Sequence, residues 1–331
     1  MTSTILVTGG AGLVGTALRS ALALRGYDTR SFDLSTSTGR RVDDTRDGER
    51  LAEAMAGCAG VVHLAAVSRV VWGERNPLLC RAVNVGGTRN VLRAALDRRE
   101  RPFVLFAGSR EVYGHVTRMP IDEDAPLAPI NVYGRSKLAG EHLTLAARDA
   151  GLRTAIFRLS NVYGSVDDHA DRVAPAFARA AITGAPLRVE GRNHVFDFNH
   201  VADVADGIAR LVVVMASEGG LPPPVQFVSG VGTTLQDLAE TCVRLAGSDA
   251  PVRQAQPRDF DVGGFVGRAD RARRLLGWRT TIPLERGLAT MIGAMRSRIG
   301  ESDRGFCAIP RVAGTSARTA PAALAQIPRL V

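Results

Sequence analysis

The chain has 331 residues, 45% of them hydrophobic and 23% charged, a balance that excludes global disorder and permits a sizeable core. No apolar run reaches the roughly 20 residues of a membrane span, and the segment MTSTILVTGG lacks the charged start of a secretion signal, so a cytoplasmic protein is expected. A formal charge of +9 is compatible with nucleic acid, but the arginines are spread along the chain with no basic run interleaved with aromatics; small anionic ligands, and neither nucleic acid nor membrane, are the expected partners.

In chain order, residues 5–8 are a short β-rich run, residues 8–15 hold a glycine cluster, and residues 14–25 are an amphipathic stretch ending at Gly26. That is strand, tight turn and helix. Further strands are expected at 29–34, 60–64, 103–107 and 153–159, and helices at 48–55, 84–98 and 132–150. Strands alternating with helices predict βαβ units and an α/β fold with a doubly wound, mostly parallel sheet. Beyond residue 160 the alternation loosens. Helices are expected at 172–183, 201–216, 234–246, 268–276 and 284–299, with one short strand at 187–189. The expected organisation is a Rossmann domain over 1–160, remaining sheet elements and a smaller substrate lobe over 161–299, and a loosely ordered tail over 300–331.

Residues 8–15 spell TGGAGLVG, which places Gly9, Gly12 and Gly15 on the strand-to-helix turn. The first glycine permits the tight turn, the second lets backbone N–H groups approach a pyrophosphate, and the third lets the helix pack closely on the sheet. The anion then sits on the helix N-terminus, whose first residues are Leu13 and Val14. Asp33 follows 18 residues beyond Gly15, where its carboxylate can accept from the adenosine ribose hydroxyls. The next residues, Leu34, Ser35 and Thr36, offer no cation to a 2′-phosphate, so NAD is the expected cofactor.

Of the 42 basic residues, 41 are arginine and one is lysine, Lys137. Arginine cannot serve as a compact, rotatable ammonium donor, which points to a requirement at that position. Tyr133 lies four residues before it on the expected helix 132–150, so both side chains share one face. A tyrosine titrating near pH 10 in water becomes a usable base when a lysine cation and a positively charged nicotinamide favour its phenolate. Ser109, after the strand 103–107, supplies a hydroxyl to orient substrate. The four cysteines, Cys58, Cys80, Cys242 and Cys307, form no CxxC pair, and the six histidines form no HxxxH or HExxH pattern; neither disulfide nor metal is expected.

On these residues the chain resembles the extended short-chain dehydrogenase/reductases, the NAD-dependent epimerase/dehydratase family of nucleotide-sugar enzymes. The resemblance runs from residue 4 to about 299. Beyond the motifs above it includes Asp44-Thr45-Arg46-Asp47, His63-Leu64-Ala65-Ala66, Asn84-Val85-Gly86-Gly87-Thr88 and Ser109-Arg110-Glu111-Val112-Tyr113-Gly114. It continues through Tyr133-Gly134-Arg135-Ser136-Lys137, Asn161-Val162-Tyr163-Gly164, Asp197-Phe198-Asn199-His200-Val201-Ala202-Asp203 and Leu275-Leu276-Gly277-Trp278.

The resemblance implies that Ser109, Tyr133 and Lys137 are catalytic, that Asp44 contacts the adenine, and that Leu64, Ala65, Ala66 and Asn84 lie beside the cofactor. It also implies that Asn161 and Arg258 help hold the diphosphate of a nucleotide sugar, and that helices 84–98 and 132–150 pair in a four-helix homodimer interface.

Two departures bear on the chemistry. Members of the family usually carry a phosphate-pairing arginine where this chain has Phe196, so Arg192 or His194 would substitute or the substrate is unusual. Glu111 stands where dehydratases and decarboxylases place a glutamate that works at C5, yet the aspartic acid that precedes it in dehydratases is Arg110 here, and arginine cannot donate a proton at neutral pH. Glu111 is therefore either a C5 base or, with Arg110, part of the pocket wall. The reading favoured is NAD-dependent 4-epimerisation through a 4-keto intermediate. A 4,6-dehydratase, decarboxylase or 5-epimerase using Glu111, and a non-catalytic NAD-binding module, are the alternatives.

Overall fold

The structure is a computed structural model that describes residues 3–36, 42–217 and 219–306. Five parallel strands, β1 (Thr4–Thr8), β2 (Asp28–Phe32), β3 (Cys58–His63), β4 (Phe103–Ser109) and β5 (Thr154–Leu159), form most of one sheet. Four further elements of the C-terminal half are β6 (Asn161–Tyr163), β7 (Leu187–Glu190), β8 (Val195–His200) and β9 (Val225–Phe227). The last of these completes the six-stranded sheet in the order β2-β1-β3-β4-β5-β9. With every pair in it parallel, the carboxyl ends of β1, β3 and β4 lie on one edge, where open α/β sheets place their ligands.

The helices are α1 (Leu13–Ala23), α2 (Gly48–Met55), α3 (Val70–Arg75), α4 (Pro77–Arg81), α5 (Gly87–Leu96), α6 (Val132–Asp149), α7 (Val173–Thr183) and α8 (Val201–Ala216). After them come α9 (Leu235–Ala246), α10 (Asp270–Leu276) and α11 (Leu284–Phe306). One core, with Ile5, Val62, Leu105 and Phe157, packs α1 and α8 on the sheet. It closes on Trp278, fully buried, whose indole N–H donates to the Asp203 carbonyl at 2.8 Å. A second core, with Phe177, Phe198, Leu238 and Leu288, belongs to the smaller lobe. There β10 (Gly232–Thr234) and β12 (Gly264–Phe265) flank β8, while β11 (Val252–Ala255) pairs with β7.

The α/β fold with its parallel, doubly wound sheet is the one the alternation predicts. Several local expectations are corrected. The single helix expected at 84–98 begins instead with a π-helical turn, Ala82–Gly86, which leads into α5. The strand expected at 29–34 stops at Phe32, and Leu34–Thr36 is a 3₁₀ turn. The helices at 70–81 and strand β8 were not expected at all. In β8 the polar Asp197 and Asn199 are buried beside Phe196 and Phe198, so the alternation that signals a half-exposed strand is missing. Asp197 is satisfied there by the Ser229 and Gly230 N–H groups at 2.7 and 2.8 Å.

The final helix does not end at residue 299 but runs through Gly300 and Gly305 to Phe306, since each glycine costs a helix only about 1 kcal/mol. The rest of the expected tail, with Cys307, lies outside the described residues. Among the described residues, Cys58, Cys80 and Cys242 are buried free thiols, no three His, Cys, Asp or Glu side chains gather as a metal site would require, and no helix is long and apolar enough to cross a membrane.

Candidate active site

The glycine turn is built as its mechanism requires. Gly9 has φ +70, and a Cβ there would lie 2.8 Å from the Ala65 nitrogen; a Cβ on Gly15 would lie 2.2 Å from the Gly9 carbonyl oxygen. A Cβ on Gly12 would meet only the Gly9 oxygen, at 3.4 Å, so the open space above it is where a pyrophosphate can approach. Helix α1 starts from this residue with no side-chain cap, which leaves the N–H groups around Leu13, Val14 and Gly15 to a ligand. Asp33 reaches back across the turn, accepting from the Ala11 N–H at 3.1 Å and the Ser35 N–H at 3.0 Å. The residues fit a dinucleotide.

Asp44 lies in the turn before α2, held by the Arg46 guanidinium at 2.9 Å. Burial works to raise its carboxyl, but hydrogen bonds from the Arg46 side chain and backbone outweigh it and hold it below its usual value. Leu64 and Ala65 are sewn to the end of β1, through the Leu64 N–H to the Thr8 carbonyl at 3.1 Å and the Ala65 N–H to Thr8 Oγ1 at 3.3 Å. Beneath them His63 joins Thr8 Oγ1, 2.7 Å from Nδ1, to Thr88 Oγ1, 3.0 Å from Nε2. Thr88 already donates to the Asn84 carbonyl at 2.6 Å, so Nε2 carries the proton and Nδ1 accepts. Burial, with Lys137 nearby, drives the His63 imidazole down to about 3, consistent with a neutral structural relay.

Asn84 is buried and acts as a clamp. Its amide accepts from the Val67 N–H at 2.7 Å and donates to the Val67 carbonyl at 3.2 Å and Ser136 Oγ at 2.8 Å. It thereby ties the loop after β3 to α6, the helix that carries the Tyr133/Lys137 pair.

Helix α6 is fixed at three heights. Asn131 caps it, accepting from the Gly134 N–H at 2.7 Å. A Cβ on Gly140 would fall 2.3 Å from Phe106 Cζ, so only glycine lets the helix lie this close to β4. Farther along, Glu141 and Arg158 form a buried pair, with Nη2 to Oε2 at 2.7 Å and Nε to Oε1 at 2.9 Å. The Arg158 Nη1 also donates to Tyr113 Oη at 2.9 Å.

So anchored, α6 presents Tyr133 to Ser109, within hydrogen-bonding reach, at the end of β4. The Tyr133 phenol is pushed up to about 12 by burial, an effect the Ser109 hydrogen bond and the Arg172 charge partly oppose. Lys137 is buried, donates Nζ to the Ala107 carbonyl at 2.9 Å, and stands 5.8 Å from the centre of the Tyr133 ring. Burial brings its ammonium down to about 8.

Beside the triad the structure gathers Arg110, Glu111, Asn161 and Phe196. Arg110 Nη2 pairs with Glu111 Oε1 at 3.0 Å, its Nε donates to Asn161 Oδ1 at 3.2 Å, and its guanidinium carbon sits 4.4 Å from the Phe196 ring centre. The other Glu111 oxygen, Oε2, accepts from Asn131 Nδ2 at 2.7 Å. Arg258 is at the rim, exposed, bound to Asp261 at 2.9 Å next to Phe260. Arg192 is exposed, and its carbonyl accepts from the Gln236 N–H at the start of α9. Among the described residues its side chain forms no hydrogen bond or ion pair with the Arg110 cluster. His194 instead meets Phe196 edge-on, 6.2 Å between ring centres.

Sequence reasoning missed two residues. Asn131 has a legible signal, an asparagine just ahead of a helical run. Arg172, which pairs with Asp168 four residues before it at 3.2 Å and donates to Ser68 at 3.2 Å, has none that points to the site, because Ser68 and Tyr133, whose phenol its charge reaches, lie far away in sequence.

The pattern of the NAD dependent epimerase/dehydratase family matches residues 5–220. A UDP-glucose 4-epimerase of Rhizobium meliloti is 31% identical over 308 residues, covering 83% of this chain and 91% of that protein. The solved structure of MoeE5 in complex with UDP-glucuronic acid and NAD superposes with a TM-score of 0.81 at 25% identity, over 89% of this chain and all of that one. The dTDP-glucose 4,6-dehydratase DesIV of Streptomyces venezuelae, with NAD and TYD bound, gives 0.80 at 26% identity, over 90% and 98%. The chain belongs to the NAD dependent epimerase/dehydratase family.

Proposed function

We propose that the protein is an NAD-dependent epimerase that inverts C4 of a nucleotide sugar. The observation that carries this reading is the state of Glu111. It is the carboxylate beside the triad, and both its oxygens are engaged, one by Arg110 and one by Asn131. Those bonds turn the carboxylate toward Arg110 and Asn131, and the proton donor that elimination across C5 and C6 needs would have to stand where Arg110 stands, a side chain that cannot donate a proton at neutral pH. The residues that remain, Ser109, Tyr133 and Lys137, suffice for chemistry at C4 alone.

NAD, when bound along the glycine turn and Asp33, supplies the hydride acceptor and later the hydride donor. The chain's own groups manage the proton. Ser109 orients the C4 hydroxyl, and Tyr133 takes its proton as the C4–H bond gives up hydride, leaving a 4-keto sugar. Lys137, from below, favours the phenolate. Return of hydride to the opposite face of C4, with the proton handed back by Tyr133, yields the epimer with no net redox change. In this reading Asp44, Leu64, Ala65 and Ala66 line the cofactor, Asn161 and Arg258 the substrate, and Asn84 acts through the loop it holds.

The experiment is turnover in heavy water, read by NMR and mass spectrometry over a panel of nucleotide sugars. Product with no carbon-bound deuterium is expected, since the hydride returns to the carbon it left. Deuterium at C5 or C6 that is lost in Glu111→Gln would replace this reading with dehydration or 5-epimerisation, and released carbon dioxide would replace it with decarboxylation.

The cytoplasmic enzyme is further read as a homodimer through α5 and α6. Leu145 on α6 is 37% exposed, an apolar side chain that a four-helix packing would cover. Sedimentation as a dimer is expected, and a monomer at micromolar concentration would remove the reading.

A further inference from the structure

Arg110 carries an unanswered hydrogen-bonding group. Its side chain is 12% exposed, and three of its faces are spoken for: Nη2 by Glu111, Nε by Asn161 and the flat face by the Phe196 ring. The remaining nitrogen, Nη1, is buried and has no hydrogen-bond partner among the described residues. A buried donor left unpaired costs about 1–3 kcal/mol, and such groups in a folded protein call for a specific explanation. The guanidinium has no lone pair, so only an acceptor can complete it, and the strong acceptors for it are charged oxygens.

The place of this donor limits what the acceptor can be. Arg110 follows Ser109 directly, Ser109 is in reach of the Tyr133 hydroxyl, and Glu111, the partner of Arg110, is close enough to act on the Tyr133 phenol, so the guanidinium belongs to the wall of the triad site. The contacts with Glu111, Asn161 and Phe196 come from β4's exit, from β6 and from β8. They hold the fork in place before any ligand arrives, which spares the ordering cost of binding. Glu111 is thus accounted for as the brace of this arginine and not as a base.

We infer that Arg110 is the receptor, through Nη1, for a negatively charged oxygen of the substrate. Two parts of a nucleotide sugar carry one: the diphosphate, present in every such substrate, and a carboxylate at C6 of an acidic sugar. The inference rests on the nucleotide-sugar reading above and deepens it by naming the residue that reads the anion.

The test measures binding of UDP, UDP-glucose and UDP-glucuronic acid to the NAD-loaded full chain by calorimetry, for wild type, Arg110→Met and Arg110→Lys. Loss of a charge-assisted contact is expected to weaken binding about 10- to 100-fold in Arg110→Met, with NAD affinity near that of wild type and a Tm that is lowered by the loss of the Glu111 pair but stays above the assay temperature. An equal loss for all three ligands identifies the diphosphate as the partner; a loss confined to UDP-glucuronic acid identifies the C6 carboxylate. Arg110→Lys should recover little, because one compact ammonium does not reproduce the planar, spread fork that meets Asn161, Glu111 and a ligand oxygen from three different nitrogens. Wild-type affinity in Arg110→Met for every ligand the wild type binds overturns the inference while leaving the epimerase reading intact. Failure of the wild type to bind any of the three, with Tm unaffected by each, overturns both.

Discussion

Replacing Tyr133 by Phe is expected to lower kcat by about 100-fold or more, the scale of a lost general base, with NAD affinity and Tm nearly unchanged. The phenylalanine keeps the ring on α6 and removes only the hydroxyl that meets Ser109. The pH profile separates this role from a structural one. Burial raises the phenol to about 12 in the cofactor-free chain, so roughly one molecule in 10⁵ would hold phenolate at pH 7. The positive nicotinamide must therefore lower it when the site is loaded, as an opposite charge does within a few ångströms. The base is the deprotonated form, so wild-type kcat should rise with pH up to the phenol's lowered pKa and then level off. In the variant that limb should be absent. Near-normal turnover, or an unchanged profile, would take Tyr133 out of the mechanism.

What the sequence discloses and what it hides divide along the range of the interactions. The glycine turn, Asp33 and the Tyr133/Lys137 pair are legible because each is a short-range requirement: a φ of +70 at Gly9, a close packing at Gly15, a four-residue helical spacing. The corrected elements depend on partners far along the chain. Strand β8 is hidden because Asp197 is buried and answered by Ser229 and Gly230, a compensation no window around residue 197 contains. The same holds for Phe196. Its place in the chain reads as a lost cation, whereas the structure lays the Arg110 guanidinium on its ring. The bonds from Asn84 to Val67 and Ser136 are likewise long-range, and spacing alone does not show them.

Lys137 carries the second large effect, on activity and on stability together. Its ammonium is held between the Phe106 and Tyr133 rings, 5.3 and 5.8 Å from their centres, with one bond to the Ala107 carbonyl. Arginine is wider and planar, so Lys137→Arg forces the pocket apart at about 1–3 kcal/mol and puts no compact charge under the phenol. A loss of kcat of about 100-fold or more is expected for it and for Lys137→Met, and full activity in Lys137→Arg would defeat the argument from the single lysine. Stability supplies an independent check. Burial lowers the ammonium from 10.5 to about 8, so the folded chain releases this proton near pH 8 while the unfolded chain keeps it to near 10.5. Between those values the unfolded state binds more protons, and stability must rise with pH. Below pH 8 the cost of the buried charge is carried in full, on the order of 3 kcal/mol for a shift of this size. Lys137→Met has no such group. The wild type, compared with it by urea unfolding at each pH, should therefore gain about 2 kcal/mol between pH 7.5 and 10. A difference that stays flat over that range would show that the ammonium is not the buried, depressed group on which its role beneath Tyr133 depends.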